Sequence, residues 1–165
     1  MADGNSSNDD NDGAGGVPQL DRTHREVYKQ LVRAAVASRE ASTDAGLPEV
    51  LLELINVRVS QLNGCAACLA QHVPAARKAG ITQSRLDLLP AWRNLDEFGG
   101  PEKAALRLAE TLTSLDDPGE RMAATTAAAD YFDEEQLSAL EWTIVLINSF
   151  NRVSIASHHQ PQIKD

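Results

Sequence analysis

The chain has 165 residues and a formal net charge of −9, from 15 lysines and arginines against 24 aspartates and glutamates. This length suits one domain with its own core, and the shortage of cationic residues argues against nucleic acid or an anionic membrane as a partner. Neither a secretory leader nor an apolar run of the roughly 18 residues that span a membrane is present, so we expect a cytoplasmic protein.

The N-terminal residues 1–18, MADGNSSNDDNDGAGGVP, are mostly glycine, serine, asparagine and aspartate. Such a segment has almost no apolar side chain to bury, so we expect a disordered, acidic and glycine-rich tail. Residues 19–165 are predicted to form one helical domain. They are rich in alanine and leucine, and aromatic residues make up only 4% of the chain. The predicted fold class is therefore all-α, a compact fold of about seven helices.

The first half of this domain predicts three helices. Apolar residues at helical spacing indicate a first helix from Leu20 to about Thr43, closed near Gly46. Residues 48–63 are apolar nearly all round and predict a buried helix, although the alternation in INVRVS leaves a strand as the alternative. A third helix is expected over about Cys65–Ala79.

Three helices are predicted in the middle of the chain. Thr82 can cap a short fourth helix that runs through Trp92. Pro101 begins a fifth helix with a leucine and alanine stripe. Asp117 caps a sixth, alanine-rich helix that ends near Phe132.

A seventh helix closes the domain. Asp133 and Gln136 have the spacing of a capping box, and apolar residues at helical spacing then continue to about Ser157. The two histidines that follow, His158 and His159, are expected to lie at a solvated helix end.

We expect structural roles for five large or polar residues. Trp92 and Trp142 are expected to be core or interface anchors, because large rings dominate packing. Asn148, Asn151 and Arg152 interrupt the apolar last helix. If they are buried they need hydrogen-bond partners, and we expect bonds between helices or between subunits.

The two cysteines of the chain lie three residues apart, in QLNGCAACLAQH. In a helix, Cys65, Cys68 and His72 share one face. The helix N-terminus lowers the pKa of a thiol most strongly at Cys65, whereas His72 lies one turn from Cys68 and can accept its proton. These two effects favour different sulfurs as the nucleophile. In a reducing cytosol such a pair indicates redox catalysis or metal binding.

Glu53 is the only acidic residue between Val50 and Leu62, within the most apolar predicted helix. A buried carboxylate must be paired or protonated, and either condition perturbs its pKa. The turn after this helix can fold the cysteine helix back beside it. Glu53 is therefore a candidate proton acceptor for the cysteine region, directly or through His72 or a water.

Two other interpretations of these residues stay open on the sequence alone. Free cysteines are among the most buried residues, so the pair could be core packing. Glu53, Cys65, Cys68 and His72 are also four suitable zinc ligands, although structural zinc usually takes its ligands from two separate knuckles.

The spacing E-x11-C-x-x-C-x3-H, filled here by Glu53, Cys65, Cys68 and His72, resembles the signature of the alkylhydroperoxidase D-like proteins in the carboxymuconolactone decarboxylase superfamily. The flanking segments LINVRVSQLNGCAACLAQH, ARKAG, LDLLPAWR and IVLINSFNRVSIA are similar as well, so the resemblance covers about residues 25–157. It implies an all-helical subunit in trimers or hexamers and a thiol peroxidase that needs no metal or cofactor. The helices at 48–63 and at the chain end are also apolar around much of their circumference, so either both are central or a subunit interface covers one, and we expect a homo-oligomer.

The resemblance also implies a role for each site residue. Cys68 would attack the hydroperoxide and become a sulfenic acid, and Cys65 would resolve it as a disulfide. Glu53 and His72 would relay the proton, and a dithiol reductant such as a lipoylated or thioredoxin-like protein would recharge the site. Ala67 stands where the peroxidase branch has a further histidine. The alternative is therefore a redox-sensing or thiol-disulfide module of the same fold with little peroxidase turnover.

Overall fold

The computed structural model describes residues 16–162, and in that range it contains eight α-helices, one 3-10 helix and no β-strand. The all-α prediction is confirmed, and the strand alternative for INVRVS is wrong. Most of the predicted tail, residues 1–15, lies outside the described residues. The helices are α1 (Leu20–Thr23), α2 (Arg25–Asp44), α3 (Glu49–Asn63), α4 (Ala66–Lys78), α5 (Gln83–Leu88), the 3-10 helix (Leu89–Asn94), α6 (Gly100–Ser114), α7 (Pro118–Ala128) and α8 (Glu134–Ala156).

The predicted first helix is divided in two at His24, whose φ of −119° and ψ of 60° are not helical. The cause is a contact with the far end of the chain. The Leu20 amide donates to Ser157 Oγ at 3.0 Å, and Gln19 Nε2 donates to the Ser157 carbonyl at 2.8 Å. These bonds attach α1 to the end of α8. The non-helical backbone at His24 then allows α2 to run in a different direction from α1.

Two predicted helix ends are wrong. The fourth helix does not continue through Trp92 as an α-helix but changes to a 3-10 helix after Leu88, because Pro90 has no amide hydrogen for an α-helical bond. The sixth helix ends at Ala128 and not near Phe132. A turn separates Ala128 from Asp133, the N-cap of the next helix.

The predicted capping box of the last helix is confirmed. The Gln136 amide donates to Asp133 Oδ1 at 2.9 Å, and the Asp133 amide donates to Gln136 Oε1 at 3.3 Å. Both bonds satisfy amides that a helix start would otherwise leave without a partner. The boundary between α7 and α8 is thereby fixed.

The central element is α3, which packs against the rest of the domain on both sides. Ile55 and Val59 belong to a core cluster with side chains of α6, α7 and α8. Leu54 and Val57 belong to a second cluster with α4, α5, the 3-10 helix and α6. This placement explains why α3 is apolar nearly all round, as expected of a buried helix.

Buried amides join the end of α3 to α8. Asn63 Nδ2 donates at 2.9 Å to both Asn148 Oδ1 and Asn151 Oδ1, and Asn151 Nδ2 donates to Ser60 Oγ at 3.2 Å. The predicted interhelical bonds of the two α8 asparagines are thus confirmed. Gly64 follows at φ +66°, the left-handed conformation that ends α3. The turn that precedes the cysteines is therefore fixed by the bonds of Asn63 to α8 and by the left-handed conformation of Gly64.

The other residues with predicted structural roles, Trp92, Trp142 and Arg152, differ in burial and in hydrogen bonding. Trp92 is buried and donates from Nε1 to Glu110 Oε1 at 2.8 Å, which confirms it as a core anchor. Trp142 is 56% exposed, so it is not in the subunit core, and its role at an interface stays a prediction. Arg152 is exposed and donates to Asn148 Oδ1 at 2.8 Å within its own helix, not between helices.

Within residues 16–162, none of the helices is both long enough and apolar enough to cross a membrane.

The packing of α3 predicts unequal costs for two truncations of the same kind. Leu54 is 0% exposed and Leu62 is 42% exposed on the same helix. We expect Leu54→Ala to lower the free energy of unfolding by about 2–5 kcal/mol, because it removes buried methyl groups and leaves a cavity. Leu62→Ala should cost less than half as much. Urea unfolding of both variants measures the difference, and equal costs would contradict this packing.

Candidate active site

Both cysteines lie at the N-terminus of α4 and are joined in a disulfide. Cys65 is the N-cap residue, and its Sγ accepts a hydrogen bond from the Cys68 amide at 3.3 Å. Cys65 is 1% exposed and Cys68 is 7% exposed. The amides of the first helical turn therefore favour negative charge on the Cys65 sulfur, while Cys68 is the more exposed of the two.

A buried hydrogen bond connects α3 to α4. Glu53 Oε2 lies 2.9 Å from His72 Nδ1, and the Glu53 side chain is 2% exposed against 17% for His72. Two more groups face the same carboxylate. Asn56 Nδ2 donates to Glu53 Oε1 at 3.4 Å, and Arg39 Nη1 of α2 lies 3.6 Å from that oxygen. The acid predicted to need a partner has three.

The charge of Glu53 follows from these contacts. Burial raises the pKa of the Glu53 carboxyl, but the hydrogen bond and charge of His72, with Arg39 and Asn56, hold this pKa below its usual value. Glu53 is therefore ionised at neutral pH and can only accept hydrogen bonds. It follows that His72 donates from Nδ1, which leaves Nε2 to exchange a proton with another group.

Cys68 and His72 are four residues apart in α4 and so lie on the same face, with about 5–6 Å between their Cβ atoms. Helix α4 thus places His72, which contacts Glu53 of α3, on the face that also carries Cys68. Among residues 16–162, no three histidine, cysteine or acidic side chains are grouped so that they could hold a metal ion. The predicted catalytic roles stay predictions.

A cleft of about 180 Å³ lies beside the disulfide, between the start of α4 and the end of α8. Cys65 and Ala67 line one wall, and Ile155, His158 and His159 line the other. The two histidines were expected to be solvated. His158 is exposed as expected, but His159 is partly buried and its Nε2 lies 3.1 Å from Asp21 Oδ1.

Sequence analysis missed the partners of the Glu53 carboxylate other than His72. Asn56 is three residues from Glu53 on the same helix, so its contact was detectable from the spacing. Arg39 comes from α2, and no local pattern indicates that its guanidinium reaches α3. The residues of α8 beside Cys65 likewise depend on how two distant helices meet.

Comparison with solved structures gives the same fold. A protein of unknown function from Agrobacterium tumefaciens, ATU0492, named as a candidate antioxidant defence protein AhpD, superposes with a TM-score of 0.78 at 24% identity and covers 90% of this chain and 99% of its own. An uncharacterized peroxidase-related protein from Silicibacter sp. TM1040 has a TM-score of 0.57 at 21% identity, covering 90% and 88%. At these identities the likeness concerns the fold alone.

Comparison of sequences gives the family. The uncharacterized protein YdfG of Bacillus subtilis (strain 168) is 44% identical over 136 residues, which are 81% of this chain and 91% of that protein. The sequence pattern of the carboxymuconolactone decarboxylase family matches residues 19–111, more than half of the chain and the part that contains Glu53, both cysteines and His72. The predicted resemblance is confirmed: the chain belongs to the carboxymuconolactone decarboxylase family.

Proposed function

We propose that this protein is a thiol-dependent peroxidase that reduces alkyl hydroperoxides with Cys68. The observation that carries the proposal is the buried pair of Glu53 and His72, 2.9 Å apart, one helical turn from a cysteine that is already paired with Cys65 in a disulfide. A thiol becomes a nucleophile only when a base removes its proton. The pair supplies such a base beside a second cysteine that can complete the cycle.

The first step consumes one hydroperoxide. His72 takes the proton of the Cys68 thiol, and Glu53 stabilises the charge that develops on the ring. The Cys68 thiolate attacks the terminal oxygen of the hydroperoxide, so that a sulfur–oxygen bond forms and the oxygen–oxygen bond breaks. The alkoxide leaves and takes the proton back from His72 as the alcohol. Cys68 is now a sulfenic acid, oxidised by two electrons.

The second and third steps restore the thiols. The Cys65 sulfur attacks the Cys68 sulfenic acid, which forms the disulfide and releases water. A dithiol reductant then exchanges with this disulfide, giving up two electrons and two protons and leaving as its own disulfide. Cys65 and Cys68 return to thiols, and the net reaction converts hydroperoxide and dithiol to alcohol, water and oxidised reductant.

The assignment of the two sulfurs rests on position. Cys68 is the more exposed of the two residues and lies on the face of α4 that carries His72, so it is the better placed to meet substrate and lose a proton. Cys65 accepts the Cys68 amide hydrogen bond, which favours its thiolate as the resolving and leaving group. The helix N-terminus thus favours Cys65 as the resolving thiol, and His72 favours Cys68 as the attacking thiol.

One observation favours the alternative, a redox-sensing or thiol-disulfide module. Ala67 cannot exchange a proton, and it lines the cleft where the peroxidase branch resembled above has a histidine. A module of that kind would form the disulfide slowly and respond to oxidation without turnover. The proposed relay of Glu53 and His72 does not pass through position 67, so we keep the peroxidase as the main proposal.

The proposed reductant is a protein dithiol, of the lipoylated or thioredoxin-like kind, and the proposed location is the cytoplasm, where such dithiols are kept reduced. We also propose that the chain forms a homo-oligomer, a trimer or hexamer. The support is a set of large apolar side chains left exposed on α2 and α8: Val27, Val36, Trp142 and Val145.

Variants of the three reacting side chains test the proposed cycle. Cys68→Ser should abolish turnover of cumene hydroperoxide with a dithiol such as dihydrolipoamide, because no other residue in the cycle attacks the peroxide. His72→Ala should slow turnover by roughly 10²–10⁴-fold, the usual contribution of a general base. Cys65→Ser should still reduce one equivalent of hydroperoxide and then stop.

The control is Trp142→Ser, an exposed change away from the relay, which should retain the reaction of each subunit with peroxide. Full turnover by Cys68→Ser would contradict the peroxidase proposal. Slow disulfide formation in the parent protein, with no turnover in the presence of reductant, would instead support the sensing module.

The charge of Glu53 predicts how stability depends on pH. Its pKa in the folded state is lower than in the unfolded chain, so the ionised group contributes stability above the unfolded value of about 4.3, and that stability is lost as the pH falls through the folded value. We expect Glu53→Gln to lower the free energy of unfolding by about 1–3 kcal/mol at neutral pH and to differ much less from the parent in acid.

Urea unfolding of both proteins at pH 7 and at about pH 3 measures this difference across the titration range. Glu49→Gln is the matched control, because Glu49 is an exposed acid of the same helix that also contacts Arg39. Its effect should stay within about 0.5 kcal/mol. A cost of Glu53→Gln that is independent of pH would show that the carboxylate is not ionised in the folded protein.

A further inference from the structure

A second cleft, of about 650 Å³, lies on α1 and α2, and its walls are strongly basic although the chain as a whole is acidic. Four of its lining residues are cationic and one is an acid; the full set is Asp21, Arg22, Arg25, Tyr28, Lys29, Val32 and Arg33. We call this surface the basic cleft. The proposed peroxidase chemistry makes no use of it.

Most of these cations have no acidic partner within the described residues. Arg22 and Arg25 are exposed and make no ion pair with any residue in the described range 16–162, and Arg33 bonds only to the neutral amide of Gln30, at 3.4 Å. Lys29 alone has an acidic partner, at 2.7 Å. Like charges held close together repel one another, so this cluster is complementary to an acidic surface of another molecule.

The basic cleft adjoins the cleft beside the disulfide. Asp21 lines the basic cleft, and its Oδ1 lies 3.1 Å from Nε2 of His159, which lines the cleft at Cys65. Tyr28, also in the basic cleft, packs edge-on against Phe150 with 6.1 Å between the ring centroids. Both clefts therefore meet at the C-terminal end of α8.

We propose that the basic cleft docks the acidic surface of the protein that reduces the disulfide, so that the partner's dithiol arm enters the adjoining cleft and reaches Cys65. This inference rests on the peroxidase function proposed above, which requires a dithiol reductant, and it identifies that reductant by its charge and by where it binds. Cys65 is 1% exposed, and the cleft that it lines is the approach that the structure offers.

The exchange at Cys65 balances as follows. One thiol of the partner gives its proton to His72, and its sulfur bonds to the Cys65 sulfur as the bond between Cys65 and Cys68 breaks. Cys68 leaves as a thiolate and takes that proton from His72. The second thiol of the partner then loses its proton to water and attacks the partner's first sulfur in the mixed disulfide, which releases the Cys65 thiolate to take a proton from water. The partner loses two electrons and becomes a disulfide, and the protein gains two thiols.

The distance of the basic cleft from Cys65 favours a protein over a small dithiol as the partner. A small dithiol would occupy only the cleft of about 180 Å³ at Cys65 and would not touch the arginines of the basic cleft. At physiological salt, charges act over about 8 Å, so the net charge of −9 repels an acidic partner weakly while the nearby cations attract it. The basic cleft thus selects and orients an acidic reductant at close range.

The test compares two synthetic peptides that carry the same Cys-Gly-Pro-Cys arm, one followed by six glutamates and the other by six glutamines. The oxidised full-length protein is mixed with each reduced peptide, and free Cys65 and Cys68 are counted by alkylation and mass spectrometry against time. At about 0.01 M salt, we expect the acidic peptide to reduce the disulfide roughly tenfold faster, and the two rates should converge at about 1 M.

Two double variants with the same change in net charge locate the effect. Arg22→Gln with Arg25→Gln should remove most of the advantage of the acidic peptide and leave the rate with the glutamine peptide unchanged. Arg77→Gln with Lys78→Gln removes two exposed cations at the far end of α4 and should preserve the advantage. The glutamine peptide also reports whether each variant is folded and reducible.

Three results would overturn the docking inference alone: equal rates with the two peptides, an advantage that survives loss of Arg22 and Arg25, or an equal loss in both double variants. Each of these leaves the disulfide reducible and the peroxidase proposal intact. If neither peptide reduces the disulfide but dihydrolipoamide does, the docking inference alone fails. If none of the three reduces it, both proposals fail, so the two kinds of failure are distinguishable.

Discussion

The buried hydrogen bond between Glu53 and His72 is the interaction on which the candidate site depends. A carboxylate inside a helix that is apolar nearly all round is costly unless a partner satisfies it, and removing that partner leaves a buried charge. The pair therefore fixes how α4 lies against α3. Because Cys68 is on the same face of α4 as His72, the geometry that stabilises the carboxylate also places Cys68 one helical turn from the histidine that we propose as its base.

The turn between these helices is the second constraint. Gly64 takes a left-handed conformation that ends α3, and Asn63 is held to α8 by two bonds of 2.9 Å. Cys65 follows directly as the N-cap of α4, so its sulfur meets the first free amides of that helix. The turn and its buried amides thus fix the position of Cys65, while the contact between Glu53 and His72 fixes the helix face that carries Cys68. The chemistry proposed here uses both.

Much of the fold was predictable because its determinants are local. Helical periodicity and caps such as Asp133 with Gln136 gave the helices, and the spacing of Glu53, both cysteines and His72 gave the family. The errors arose where distant segments or a single proline prevailed. Ser157 holds Leu20 from the other end of the chain and so divides the first helix, and Pro90 ends an α-helix that periodicity would continue. Arg39 at Glu53 and His159 beside Cys65 depend on packing alone.

The central claim is that Glu53 and His72 make Cys68 the sulfur that attacks a hydroperoxide. The most direct measurement is mass spectrometry of the Cys65→Ser protein after one equivalent of cumene hydroperoxide, with dimedone present to trap sulfenic acid. The account predicts one dimedone adduct on Cys68 and none on the Cys65 of a Cys68→Ser protein treated in the same way. An adduct on Cys65, or no adduct on Cys68 while the hydroperoxide persists, would contradict it.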